Sequence, residues 1–282
     1  MKKQGISFMI ASLFGIGIFY IWAFVLVVRK SFLIGGIAGW AGFGNYSEVL
    51  TNQAFWVAMK NTLVYMVSCV SILLVVTLFM AWVLTEEFPF SKYLKTGYLI
   101  PLVVPASAIV FLWNLFFDVH GFINGMLVTV GGLIGFEIAP QNWMAGKYTM
   151  AILVVVYLWK NLGYYIILWA AALSLIPRDT YDAAKVDGAN SMQMFFRVTL
   201  PQLRTSSYYI LLFAVMSGFK VFREAYVVTG EYPSQNIYMI QHLLNNWYRE
   251  MDVGRLSSAT VVLILFMAVF TMLVYHGWRD RG

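Results

Sequence analysis

Six apolar runs, at roughly residues 6–28, 63–84, 97–117, 149–173, 208–229 and 257–277, alternate with segments rich in charge, Gly, Asn and Pro. Each run reaches about 20 residues, which a helix rising about 1.5 Å per residue needs to cross about 30 Å of hydrocarbon. The pattern predicts an all-α membrane protein with six transmembrane helices. The first run is too long for a signal-peptide core and shows no small-residue cleavage site, so it reads as a retained helix. Six such spans use roughly 120 of the 282 positions, and no loop is left long enough for a soluble domain. Residues 1–282 therefore read as one membrane domain.

Composition agrees: 61% of residues are hydrophobic and 11% charged, against about 45–50% and about 25% in soluble domains. The net charge of +6 does not point to nucleic acid, because the bases sit in short loops where they orient the chain. With both termini cytoplasmic, the inner segments hold ten bases: Lys2, Lys3, Lys92, Lys95, Arg178, Lys185, Arg197, Arg204, Arg279 and Arg281. The outer segments hold six, of which Arg29 and Lys30 pull the first span the other way. Cys69 is alone and His120, His242 and His276 are dispersed, so disulfide and metal chemistry drop out and no catalytic or metal-binding residue is named. Residues 86–97, EEFPFSKYLKTG, suit an interfacial elbow helix, and the outer segments 31–60 and 118–147 read as packed against the protein's own outer face.

The loop 174–207, SLIPRDTYDAAKVDGANSMQMFFRVTLPQLRTSS, carries the strongest signal. Pro177 ends the fourth span, and Asp179 or Thr180 can cap a new helix with Asp182 in its first turn. Gly188 suits a left-handed stop, Ser191 can cap a second helix carrying Met192, Phe195 and Phe196 toward the membrane, and Pro201 suits the start of the fifth span. The first of these helices, about nine residues and about 13 Å long, is too short to be stable alone in water. It needs something to dock on, or it is an ordinary membrane-surface helix with a glycine stop, and spacing alone leaves both open.

Here the sequence resembles the permease subunits of binding-protein-dependent ABC importers, specifically the carbohydrate-uptake branch of the maltose, multiple-sugar and glycerol-phosphate type. Their signature in the cytoplasmic loop before the penultimate span is Glu-Ala-Ala, three residues, Gly, nine residues, Ile, one residue, Leu-Pro. This chain has Asp182-Ala183-Ala184, Gly188, Val198, Leu200 and Pro201 at the same spacing, with Asp for Glu and Val for Ile. Trp159-Lys160-Asn161-Leu162-Gly163-Tyr164 and Ile176-Pro177 resemble the two ends of the family's fourth span. Gly44-Asn45-Tyr46, Asn61-Thr62 and Gly121-Phe122-Ile123-Asn124 resemble its outer segments, and Gly218-Phe219-Lys220-Val221-Phe222 its fifth span. Glu231-Tyr232 stands where glycines are usual before Pro233.

The resemblance implies a type I ABC importer permease fold in a bacterial inner (cytoplasmic) membrane. The loop helix would be a coupling helix seated on a separate ATPase, with Asp182, Ala183, Ala184, Lys185, Asp187 and Gly188 as the docking surface. The sequence holds no Gly-x-x-x-x-Gly-Lys-[Ser/Thr] loop, so no ATPase site or cofactor is expected in this chain. ATP and Mg would be bound by two partner ATPase subunits. The other implied partners are a second, homologous permease subunit, more readily a distinct chain than a second copy, and an extracytoplasmic solute-binding protein.

Charges within spans cost about 2.5–3.5 kcal/mol each at a helix centre, so Lys160, Lys220 and Arg223 must face protein or water. On the fourth span Tyr157, Lys160, Asn161, Tyr164 and Trp169 fall on or near one face, and on the fifth Ser217, Lys220 and Glu224 do the same. Aromatic planes beside amide and charged groups suit a sugar, whose C–H faces stack and whose hydroxyls need paired donors and acceptors. The competing structural reading pairs Lys220 with Glu224 and leaves Arg223 snorkelling outward. An ion-coupled secondary transporter would put carboxylates at mid-depth, where this chain has none. A membrane scaffold without transport is the other alternative.

Overall fold

The computed structural model describes residues 10, 12–37, 39–85, 97, 100–143, 148–219, 225, 226, 230 and 233–279. Nearly all of these are helical, and strand-like pairing among them is one isolated bridge, Leu33 to Trp40. Among the described residues, five stretches are long and apolar enough to cross a membrane: Ser12–Ser31, Gln53–Leu84, Phe111–Leu133, Thr149–Ser174 and Val253–Gly277. The run expected at 208–229 is described as a helix over Arg204–Gly218, and residues 220–224 and 227–229 lie outside the described set. The elbow expected at 86–97 also falls outside it, apart from Gly97.

The helices are α1 (Ser12–Ser31, with a π-helical turn at Gly17–Trp22), α2 (Gly44–Thr51) and α3 (Gln53–Thr85). Next come α4 (Ile100–Val103), α5 (Ala106–Phe117), α6 (Phe122–Leu133) and α7 (Thr149–Ser174). The chain continues through α8 (Arg178–Val186), α9 (Ser191–Met194), a π-helical turn at Phe195–Thr199, α10 (Leu200–Gln202) and α11 (Arg204–Gly218). It ends with α12 (Ile240–Arg249) and α13 (Val253–Arg279). They form two compact units, one of Met1–Met59 with Ile240–Leu273, the other of Lys60–Met239 with Val274–Gly282.

Two spans depart from the hydropathy pattern. Helix α3 starts ten residues before the apolar run, because Asn52 accepts the Ala54 N–H at 2.8 Å and caps it. The run at 97–117 is interrupted at Val104-Pro105, where Pro105 is extended (φ −60°, ψ 146°) and α5 begins. Proline lacks the N–H and disfavours helix in the residue before it. Phe111–Leu133 is likewise two helices, since α5 stops at Asp118 and α6 restarts after Gly121.

The first unit is closed by a polar knot. Asn45 donates to the carbonyls of Ser31 (2.8 Å) and Leu33 (2.9 Å), and the Ser31 hydroxyl lies 2.6 Å from Tyr46 Oη. Ser258 Oγ lies 3.2 Å from the Ser31 carbonyl, and Arg255 Nε donates to Glu48 Oε2 at 2.8 Å. Gly254 makes the approach possible: a Cβ there would lie 2.9 Å from Asn45 Oδ1. The second unit is built around α7, which buries twelve residues including Tyr157, Tyr165 and Trp169. Its outer segment hangs on buried Asn124. That side chain donates to the carbonyls of Asp118, Val119 and Gln141 and accepts the Gln141 N–H (3.1 Å) and Trp143 Nε1–H (3.0 Å). Four of the five contacts on this one amide go to backbone groups of the segment and the fifth to the Trp143 indole, so a single buried side chain ties both ends of the segment together.

Candidate functional site

The loop after α7 folds into the predicted nine-residue helix, α8, with different ends. Its N-cap is Pro177, extended at φ −60° and ψ 137°, with no side-chain cap; Asp179 stands in the first turn, which places Asp182 beyond it. The C-terminal end is a Schellman stop: the Gly188 N–H bonds the Lys185 carbonyl and the Ala189 N–H the Ala184 carbonyl, both at 3.0 Å. Gly188 makes the turn at φ +77°, where a Cβ would be strained. Asn190, rather than Ser191, caps α9, in a capping box with Gln193 (2.9 and 3.0 Å).

Helix α8 buries none of its nine residues within this chain. Asp182, Ala183, Lys185, Asp187 and Gly188 are exposed and Ala184 is half-buried. The Asp182–Lys185 pair, 3.6 Å apart and open to solvent, adds little. Val186 is 88% exposed and Leu175 78% exposed, so the helix ends among bare apolar side chains. Sequence reasoning missed Val186, although an apolar residue among charges on so short a helix was the available signal. Helix α8 also borders a cleft of about 650 Å³, which Asp182 and Lys185 line at its edge together with Trp82, Ile176, Tyr181 and Thr199 among others.

The polar face of α7 is narrower than spacing suggested. At about 100° per residue, Lys160, Asn161 and Tyr164 lie within about 60° of Tyr157, whereas Trp169 is turned about 120° away. Trp169 is 3% exposed, enclosed by its own chain. Lys160 and Asn161 are half-buried and Tyr164 is 38% exposed, so these three edge the open side. Asn161 turns its Nδ2 to the Tyr157 carbonyl of its own helix at 2.8 Å. On α11, Ser217 donates to the Phe213 carbonyl (2.7 Å) and so receives the Tyr165 hydroxyl at 2.6 Å. Tyr157 donates to the Ala214 carbonyl at 3.2 Å. Thus Ser217 joins α7 through Tyr165, a residue that spacing did not single out. Lys220 and Glu224 lie outside the described residues, as does Arg223.

Comparison with known proteins adds a family to this geometry. Residues 76–277 match the model of the family described as "binding-protein-dependent transport system inner membrane component". The arabinooligosaccharides transport system permease protein AraP of Bacillus subtilis is 29% identical, covering 94% of this chain and 86% of its own. The trehalose/maltose transport system permease protein MalF of Thermococcus litoralis is 28% identical over 85% of this chain and 80% of its own. The lactose transport system permease protein LacF of Rhizobium radiobacter is 26% identical over 88% and 84%. A chain in the crystal structure of a bacterial ABC transporter that imports the acidic polysaccharide alginate superposes with a TM-score of 0.81 at 18% identity, over 98% of this chain and 95% of that one. That likeness establishes the fold.

Proposed function

From the premise that this chain belongs to the binding-protein-dependent transport system inner membrane component family, a multi-pass inner-membrane permease, we propose that it is the permease subunit of an ATP-driven importer for a sugar or oligosaccharide. In this reading residues 1–282 act as one permease domain forming half of the translocation path, both termini face the cytoplasm, and the chain holds no ATPase site of its own. The other half is a homologous, distinct permease subunit. Two ATPase subunits bind ATP and Mg on the cytoplasmic side, and a solute-binding protein delivers the cargo outside. The names of the relatives, with arabinooligosaccharide, trehalose/maltose and lactose among them, support the carbohydrate class.

One observation carries the coupling role: α8 presents Asp182-Ala183-Ala184 on a helix with no buried residue, and the exposed Gly188 closes the turn that follows it. A nine-residue helix in that state lacks the packing that stabilises short helices, and a partner's groove supplies it. ATP draws the paired ATPase subunits together, the docked helices move with them, and α7 and α11 carry the motion to the path. Lys160, Asn161 and Tyr164 offer polar and aromatic contacts to the cargo; Lys220 and Glu224 complete the set in this reading.

The test is isolation of the complex from its native membrane and reconstitution in proteoliposomes. An ATPase should co-purify, and its hydrolysis should rise with binding protein plus oligosaccharide, with uptake of the labelled sugar. Deleting 179–190 should abolish ATPase recovery and uptake while the chain still inserts. Normal uptake by that deletion would remove the coupling role, and uptake driven by an ion gradient without ATP would remove the importer reading.

A further inference from the structure

A hydroxyl contact ties helix α8 to the rest of its unit. Tyr181, on the second turn, is half-buried, and its phenol oxygen lies 3.1 Å from Thr199 Oγ1. Thr199 is itself fully buried. It closes the π-helical turn Phe195–Thr199, which leads through Leu200-Pro201-Gln202 and a bend at Leu203 into α11. A π turn inserts one residue into the helical register and so rotates the downstream helix by about 100°. At the other end of the same turn, Phe195 packs on Trp82 near the end of α3, ring centroids 4.8 Å apart. The turn is thus tied to α8 by Tyr181 and to α3 by Trp82.

We infer that Tyr181 and Thr199 are positioning residues for coupling: their contact transmits displacement of α8 to the π turn, and so to α3 and α11. The inference rests on the docking role proposed for α8. With no α8 residue buried and a cleft of about 650 Å³ beside it, the helix has room to tilt as its partner moves. A tilt absorbed by the cleft is lost to the membrane helices. The Tyr181–Thr199 contact spans one wall of that cleft, which both residues line, and converts tilt into movement of the turn. Neither residue belongs to the exposed face offered to the ATPase.

Tyr181→Phe and Thr199→Val remove the contact at nearly constant volume, and Thr199→Ser retains the hydroxyl. The assembled importer in proteoliposomes, with binding protein and labelled oligosaccharide, gives three readings: ATPase recovered with the chain, ATP hydrolysed, and sugar transported per ATP. We expect recovery to be unchanged in all variants. Sugar per ATP should fall about fivefold in Tyr181→Phe and in Thr199→Val, the population change that one net hydrogen bond sets. The double variant should fall no further, and Thr199→Ser should behave as the parent. An unchanged ratio in Tyr181→Phe overturns the inference, as does additive loss in the double variant. Loss of ATPase recovery overturns it too, by moving Tyr181 to the docking face. If deletion of 179–190 leaves ATPase recovery intact, the docking reading itself fails, an outcome distinct from these.

Discussion

Gly188 offers a substitution series that separates backbone strain from a docked surface. Its φ is +77°, and a Cβ built there meets nothing within 4 Å in this chain. Any L-residue there carries left-handed strain of about 1–2 kcal/mol, less for Asn, which visits that region more readily. Because α8 buries nothing, this strain falls on the Schellman turn and leaves the membrane core untouched. If the turn faces only solvent, Ala and Trp at position 188 should be equally mild and Asn milder still. If it lies in a partner's groove, loss should track side-chain volume. We expect Gly188→Ala to weaken ATPase association by about thirtyfold at most, the equivalent of its strain. Gly188→Trp should abolish association and uptake, and Gly188→Asn should be worse than strain alone predicts. The assay is ATPase recovery with the purified chain, paired with uptake into proteoliposomes. Gly188→Trp no worse than Gly188→Ala would refute docking at this turn.

The geometry sets three further outcomes. Asn124→Ala strips acceptors from the Gln141 N–H and the Trp143 indole and should destabilise the outer segment by about 2–4 kcal/mol, read as earlier proteolytic cleavage in 118–143. Alanine at Lys160, Asn161 or Tyr164 should raise the sugar concentration needed for half-maximal uptake several-fold without lowering ATPase recovery; unchanged uptake by all three would remove that face from the path. Burial lowers the His242 pKa from 6.5 to about 4. The unfolded chain then binds the proton first, so stability is flat above pH 6.5 and falls by about 3 kcal/mol as pH drops toward 4. His242→Gln should flatten that slope in acid-unfolding measurements, and a slope unchanged by the substitution would assign it to other groups.

The sequence determined what depends on neighbours along the chain. The span 149–173 matches Thr149–Ser174 because a continuous apolar run has one economical conformation in lipid. The nine-residue helix ending at Gly188 was legible because only glycine takes that turn cheaply. Where several local signals competed, the structure chose: Pro177 and Asn190 displaced Asp179 and Ser191 as caps, and the cap at Asn52 began α3 ahead of its apolar run. Packing decided the rest. Trp169 is enclosed by its own chain, and so is Tyr157 about 120° away on the same helix, so neighbouring helices rather than helical angle set which side chains are covered. Tyr165 met Ser217 across 52 residues of sequence. The contact between Tyr181 and Thr199 closes over 18 residues through a π turn that no periodicity announces. Periodicity and turn chemistry act within a few residues, whereas a buried hydroxyl finds its partner only after the helices have fixed which faces meet.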